Sequence, residues 1–176
     1  MICTHMSTAP VGRLSRLKGE IALNREFEGL EEAAFLALVS TWQRLESIGR
    51  RFFSRHDITD AQFNVLMILS DYRVSPPKQH QLAELLVVNQ ASMREVLDRM
   101  ERNGWIERVA DPDDRRAYRV RLSKAGDAKL SQVRPHYYRL LAKLYEGAST
   151  SELHAQILAF DRMRSRLRAV ERASTS

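Results

Sequence analysis

The apolar rhythm of this chain changes at Gly104 and changes back at Ser123. In "VVNQASMREVLDRMERNG", Met93, Val96, Leu97 and Met100 recur at steps of three and four, the spacing of one helical face. Asn89 can cap the start of that helix, and Gly104 supplies the permissive backbone on which helices stop. After Gly104 the pattern becomes that of strands. "WIERVA" and "AYRVRL" are rich in β-branched and aromatic residues, and Tyr118, Val120 and Leu122 alternate with Arg119 and Arg121. "DPDDRR" between them is the tip of a hairpin. Gly and Pro are scarce, at seven and five, and good helix formers abound, so one hairpin in a mainly α chain is expected rather than a sandwich or barrel.

Helices account for the rest. A short amphipathic stretch runs near Leu14 to Phe27. It is followed by "LEEAAFLALVSTWQRLESIGRRFF", where Phe35, Leu38, Trp42, Leu45, Gly49 and Phe52 share one face. "ITDAQFNVLMILSDY" starts at Thr59 or Asp60 as N-cap and turns Phe63, Leu66, Met67 and Leu69 inward. "VSPPK" breaks the chain, and a short helix from Gln79 to Leu86 buries Leu82, Ala83 and Leu86. Ser123 opens a further helix with Pro135 inside it, where a kink is expected. The last begins near Ser149, in a capping-box pattern with Glu152, and lines up Leu153, Ile157, Phe160, Met163, Leu167 and Val170.

Several function classes lack any motif. The lone Cys3 gives neither a disulfide framework nor a thiol cluster, which fits a reducing, cytoplasmic setting. No apolar run nears the ~20 residues of a membrane span, so no membrane partner is expected. His56, His80, His136 and His154 lack metal-ligand spacing, and there is no nucleophile elbow or Gly-rich phosphate loop. No enzyme, metal or cofactor is expected. The formal charge of +6 points to a polyanionic partner only weakly, but its distribution says more. Arg115, Arg116, Arg119, Arg121 and Lys124 are packed around the hairpin with no acid among them.

Helix, turn, helix and then a hairpin with a cationic tip is the arrangement of a winged helix-turn-helix. The stretch Gln81 to Gly126 resembles the DNA-binding core of the MarR family of bacterial transcription regulators. It does so in Leu82 and Ala83, Asp98-Arg99 with Glu101, Gly104, Asp111-Pro112, Asp114-Arg115-Arg116, Leu122, Ser123 and Gly126. A looser resemblance covers Leu30 to Val170. A recognition helix meets bases with its N-terminal residues, which places Gln90, Ala91, Arg94 and Glu95 at the groove floor and Asn89 and Ser92 nearer phosphate. Arg94 can fork onto a guanine and Glu95 can accept from a cytosine. The family usually has Thr then Arg at these two positions, so its usual base contacts do not carry over. The resemblance implies a wing-tip arginine in the minor groove braced by an aspartate, here Arg116 and Asp114 with Arg115 as the alternative. Arg119 and Arg121 are divided between phosphate contact and an ordinary strand face.

The expected architecture is therefore mainly α, a winged helix-turn-helix with a long-helix dimerisation layer and a two-stranded β-hairpin wing. Residues 1–12 read as a disordered leader of the kind a vector scar leaves, 58–126 as the DNA-binding lobe, and 30–56 with 127–172 as the helical dimerisation layer. The resemblance implies a homodimer on a palindromic duplex operator, acting as a repressor and released by a small aromatic or anionic effector. Trp42, Arg50, His56 and Tyr72 lie on elements that can line an effector crevice. The alternative is a winged-helix protein–protein interaction module that does not bind DNA.

Overall fold

A computed structural model of the chain describes residues 11–86, 90–112 and 117–174. The expectations for residues 1–10, for Asn89 and for Asp114, Arg115 and Arg116 lie outside the described residues. Helices α1 (Val11–Glu20), α2 (Leu30–Ser54), α3 (Asp60–Asp71), α4 (Gln79–Leu86) and α5 (Gln90–Arg102) precede strands β1 (Ile106–Ala110) and β2 (Tyr118–Leu122). Helices α6 (Lys124–Leu144) and α7 (Thr150–Ser174) complete the chain. The α1 helix starts at Val11, inside the stretch expected to be unstructured, and stops at Glu20, well short of Phe27. The α6 helix continues through Pro135.

The chain divides into two compact units, one ending at Asp127 and the other starting at Ala128. In the first unit the core is built from the helical stripes. Phe63, Val65, Leu66 and Leu69 of α3, Leu82 and Ala83 of α4, and Met93, Leu97 and Met100 of α5 are all buried, and Ile106 and Val120 of the strands join them. The end of α2 reaches this core through a tilted ring contact, with Phe53 and Phe63 centroids 5.4 Å apart. Thr59 is the N-cap of α3: its hydroxyl accepts from the Gln62 N–H at 3.2 Å, and the Gln62 side chain accepts in return from the Thr59 N–H at 3.0 Å. Gly104 ends α5 at φ +70°, a conformation that favours glycine.

The strands pair antiparallel in the register Ile106–Leu122, Arg108–Val120 and Ala110–Tyr118. Alternation places Tyr118 with Val120, yet Tyr118 is exposed while Val120 is buried. Tyr118 sits at the last pair of the ladder, past the end of the core.

The second unit contains the remainder of α6 and all of α7. Leu130 and Val133 of α6 are buried. On α7 the expected cap is present, since the Ser149 hydroxyl accepts from the Glu152 N–H at 3.3 Å and Glu152 Oε2 accepts from the Ser149 N–H at 2.8 Å. None of α7's residues is buried, and Ile157, Phe160, Leu167 and Val170 are exposed.

Candidate nucleic-acid interface

One face of α5 is fixed by the core, so the opposite face must point outward. With Met93, Leu97 and Met100 buried, Ser92, Arg94, Glu95, Arg99 and Arg102 are exposed. Gln90 and Ala91 open the helix. Arg94 and Glu95 make no hydrogen bond or ion pair with each other or with any other described residue. A five-donor fork beside an acceptor-only carboxylate is thus presented to solvent.

Asp98 and Glu101, farther along the helix, have a different task. Arg108 of β1 reaches across to both, donating to Asp98 Oδ1 at 2.5 Å and to Glu101. Burial opposes the Arg108 charge, but the hydrogen bonds and charges of the two carboxylates outweigh it and hold the guanidinium above its ordinary value. Asp98, which the helical projection points outward, is therefore half-buried and clamped to the hairpin.

The end of α5 is joined to the start of α6 by a compact junction. The Ser123 hydroxyl donates to the Gly104 carbonyl oxygen at 2.5 Å and accepts from the Gly126 N–H at 2.9 Å, while the Ser123 N–H donates to the Trp105 carbonyl oxygen at 3.1 Å. A Cβ at position 126 would lie 2.0 Å from that same oxygen, so only glycine fits. Gly104, Ser123 and Gly126, which carry part of the family resemblance, are thus the joint between recognition helix, hairpin and α6.

Along β2, Arg121 faces solvent and pairs across the ladder with Glu107 at 2.6 Å. Arg119 turns inward instead, donating through Nε to Asp111 at 2.7 Å and through Nη1 to the Pro76 carbonyl oxygen at 3.3 Å. The Val120 N–H donates to the Pro77 carbonyl oxygen at 2.9 Å, and Lys78 and Arg119 form an antiparallel bridge. The "VSPPK" segment, which the sequence marks only as a break, therefore runs beside the wing as a third, short edge. No local pattern in the sequence marks this pairing, because its partners lie about forty residues apart.

The four effector candidates have different surroundings. Trp42 is exposed, Arg50 pairs with Glu46 at 3.1 Å, and His56 is half-buried against the Phe52 ring at 4.8 Å. Only Tyr72 borders the cavity of about 480 Å³ that Pro76, Pro77, Lys78, Gln81, Leu85 and Arg119 also line. No described helix is long and apolar enough to cross a membrane.

Residues 58–118 match the MarR family. The HTH-type transcriptional repressor YetL of Bacillus subtilis is 26% identical over 121 residues, 67% of this chain and 71% of its own. A crystal structure of a probable transcriptional regulator from Pseudomonas aeruginosa has a TM-score of 0.66 at 26% identity, over 77% of this chain and 99% of that one. A mutant MarR from E. coli complexed with operator DNA shares the fold with a TM-score of 0.65 at 24% identity, over 72% and 90% of the two chains. Family and relatives are regulators, not enzymes, and the family match falls on the lobe that contains α5. Over residues 58–118 the chain carries a MarR-family domain, in the fold of the winged helix MarR regulators.

Proposed function

We propose that this chain is a cytoplasmic, dimeric, sequence-specific DNA-binding regulator, acting as a repressor, that reads a palindromic operator. The observation that carries the reading is the outer face of α5, where Arg94 and Glu95 stand exposed and unpaired among the described residues on a helix anchored by its opposite face. A major groove admits such a helix, a guanidinium fork matches a guanine edge, and a carboxylate accepts from cytosine. Gln90, Ala91 and Ser92 open α5, where phosphate and base contacts concentrate, and Asn89 precedes them in the sequence. The wing adds Arg116 for the minor groove, with Asp114 as its brace and Arg115 as its alternate. The E. coli relative was crystallised with operator DNA, which supports the same use of the fold here.

The dimer rests on unpartnered apolar surface. Phe35, Trp42 and Leu45 of α2 are exposed in one unit, as are Ile157, Phe160 and Leu167 of α7 in the other, and a second copy of the chain is the partner we assign to them. Tyr72 borders a cavity of small-molecule size, and we place an aromatic or anionic effector that releases DNA there.

Duplex binding across a salt series tests the reading. Affinity for a selected duplex should fall linearly in log-log form as salt rises. A chain that prefers no duplex and instead captures a protein would be the winged-helix adapter.

A further inference from the structure

The wing's cations do not all face outward, and the inward one sits at an unusual junction. The Asp111 side chain has no solvent exposure, and its Oδ2 meets both Arg119 Nε at 2.7 Å and Lys78 Nζ at 3.4 Å. Each cation retains about a quarter of its side-chain surface. Two cations of opposite elements, one from the edge segment and one from β2, thus converge on a single enclosed carboxylate. A buried charge without its counter-charge is costly, so each member holds the others in place.

This junction reaches the recognition helix through α4. Lys78 directly precedes α4: its N–H donates to Gln81 Oε1 at 2.8 Å, and its carbonyl oxygen accepts from the Leu82 N–H at 3.2 Å. Leu82 and Ala83 are buried in the same core as Met93 and Leu97 of α5. On the wing side, the Asp111 N–H donates to the Ala117 carbonyl oxygen at 3.0 Å and closes the ladder just before the tip sequence.

We propose that Asp111, Lys78 and Arg119 are positioning residues that set the wing's angle to α5, and that Arg119 serves DNA binding through Asp111 rather than by touching phosphate. The proposal rests on the DNA-binding reading above. Its signature is a sign. If Arg119 were a plain phosphate contact, neutralising the acid beside it would leave binding to a polyanion unchanged or tighter. As a positioning group, Asp111 is required for binding although its own charge repels DNA.

The test uses the full-length chain and the duplex that wild type enriches from a random pool. Asp111→Asn should weaken binding roughly tenfold, the scale of strongly coupled neighbours, and Arg119→Met should do the same. In an Arg115→Ala/Arg116→Ala background, where the wing tip has lost its cations, the further loss from Asp111→Asn should vanish. General destabilisation would persist in both backgrounds. If Asp111→Asn does not fold, Lys78→Met and Arg119→Met are measured in the same two backgrounds with the same expectation. Unchanged or tighter binding by Asp111→Asn, or an equal loss with and without the wing-tip cations, overturns the proposal. Failure of wild type to enrich any duplex would instead remove the DNA-binding reading beneath it.

Discussion

Arg108 on β1 and Asp98 on α5 meet at 2.5 Å, with the Arg108 side chain 18% exposed and that of Asp98 41%, so the hairpin and the recognition helix are tied by an ion pair whose cation is largely withdrawn from water. Arg108→Met leaves Asp98 and Glu101 facing each other without a cation and should cost about 1–3 kcal/mol of stability. Arg121→Ala breaks the Glu107 pair, which lies in solvent, and should change stability by no more than about 0.5 kcal/mol. Urea unfolding of both variants at neutral pH checks the contrast.

Glycine substitutions separate two kinds of site. Gly126→Ala drives a methyl group into the Trp105 carbonyl oxygen and should destabilise by about 1–3 kcal/mol. Gly49, inside α2 with open space where a methyl group would sit, should gain about 0.5–1 kcal/mol as alanine. Thermal unfolding should move in opposite directions for the two.

Glu32 carries an acid-sensitive contribution. Its hydrogen bonds from Arg25 and from the Glu28 N–H hold its carboxyl below the ordinary carboxylate value. A carboxyl with a depressed folded-state pKa stabilises the fold above its unfolded value, and that stabilisation is lost as pH falls through the folded one. The stability difference between wild type and Glu32→Gln should therefore be present at neutral pH and close as pH drops through and below the ordinary carboxylate range. Denaturant midpoints of the two proteins along a pH series read it, and a difference that is flat with pH contradicts it.

Much of this molecule is legible as local pattern. The Thr59 and Ser149 caps, the stop at Gly104 and the Met93–Met100 stripe follow from interactions within a few residues, where spacing alone decides. Spacing misplaces Asp98 because a helical projection sees only its own helix, not the Arg108 that arrives from the next strand. It divides Arg119 evenly because alternation cannot tell a solvated face from one covered by a distant edge. The partners Asp111, Lys78 and Pro76 come together only when the proline segment folds alongside β2.

Selection from a random duplex pool, run on wild type and Arg94→Ala in parallel, decides whether the exposed face of α5 reads base sequence. A guanidinium fork on one base is worth roughly 1–3 kcal/mol of discrimination, so removing it should erase a preference rather than only weaken binding. The expected result is a palindromic motif for wild type and loss of one base preference, in both half-sites, for the variant. Identical motifs from the two proteins would contradict base reading by Arg94, and no enriched motif from wild type would contradict sequence recognition by this chain altogether.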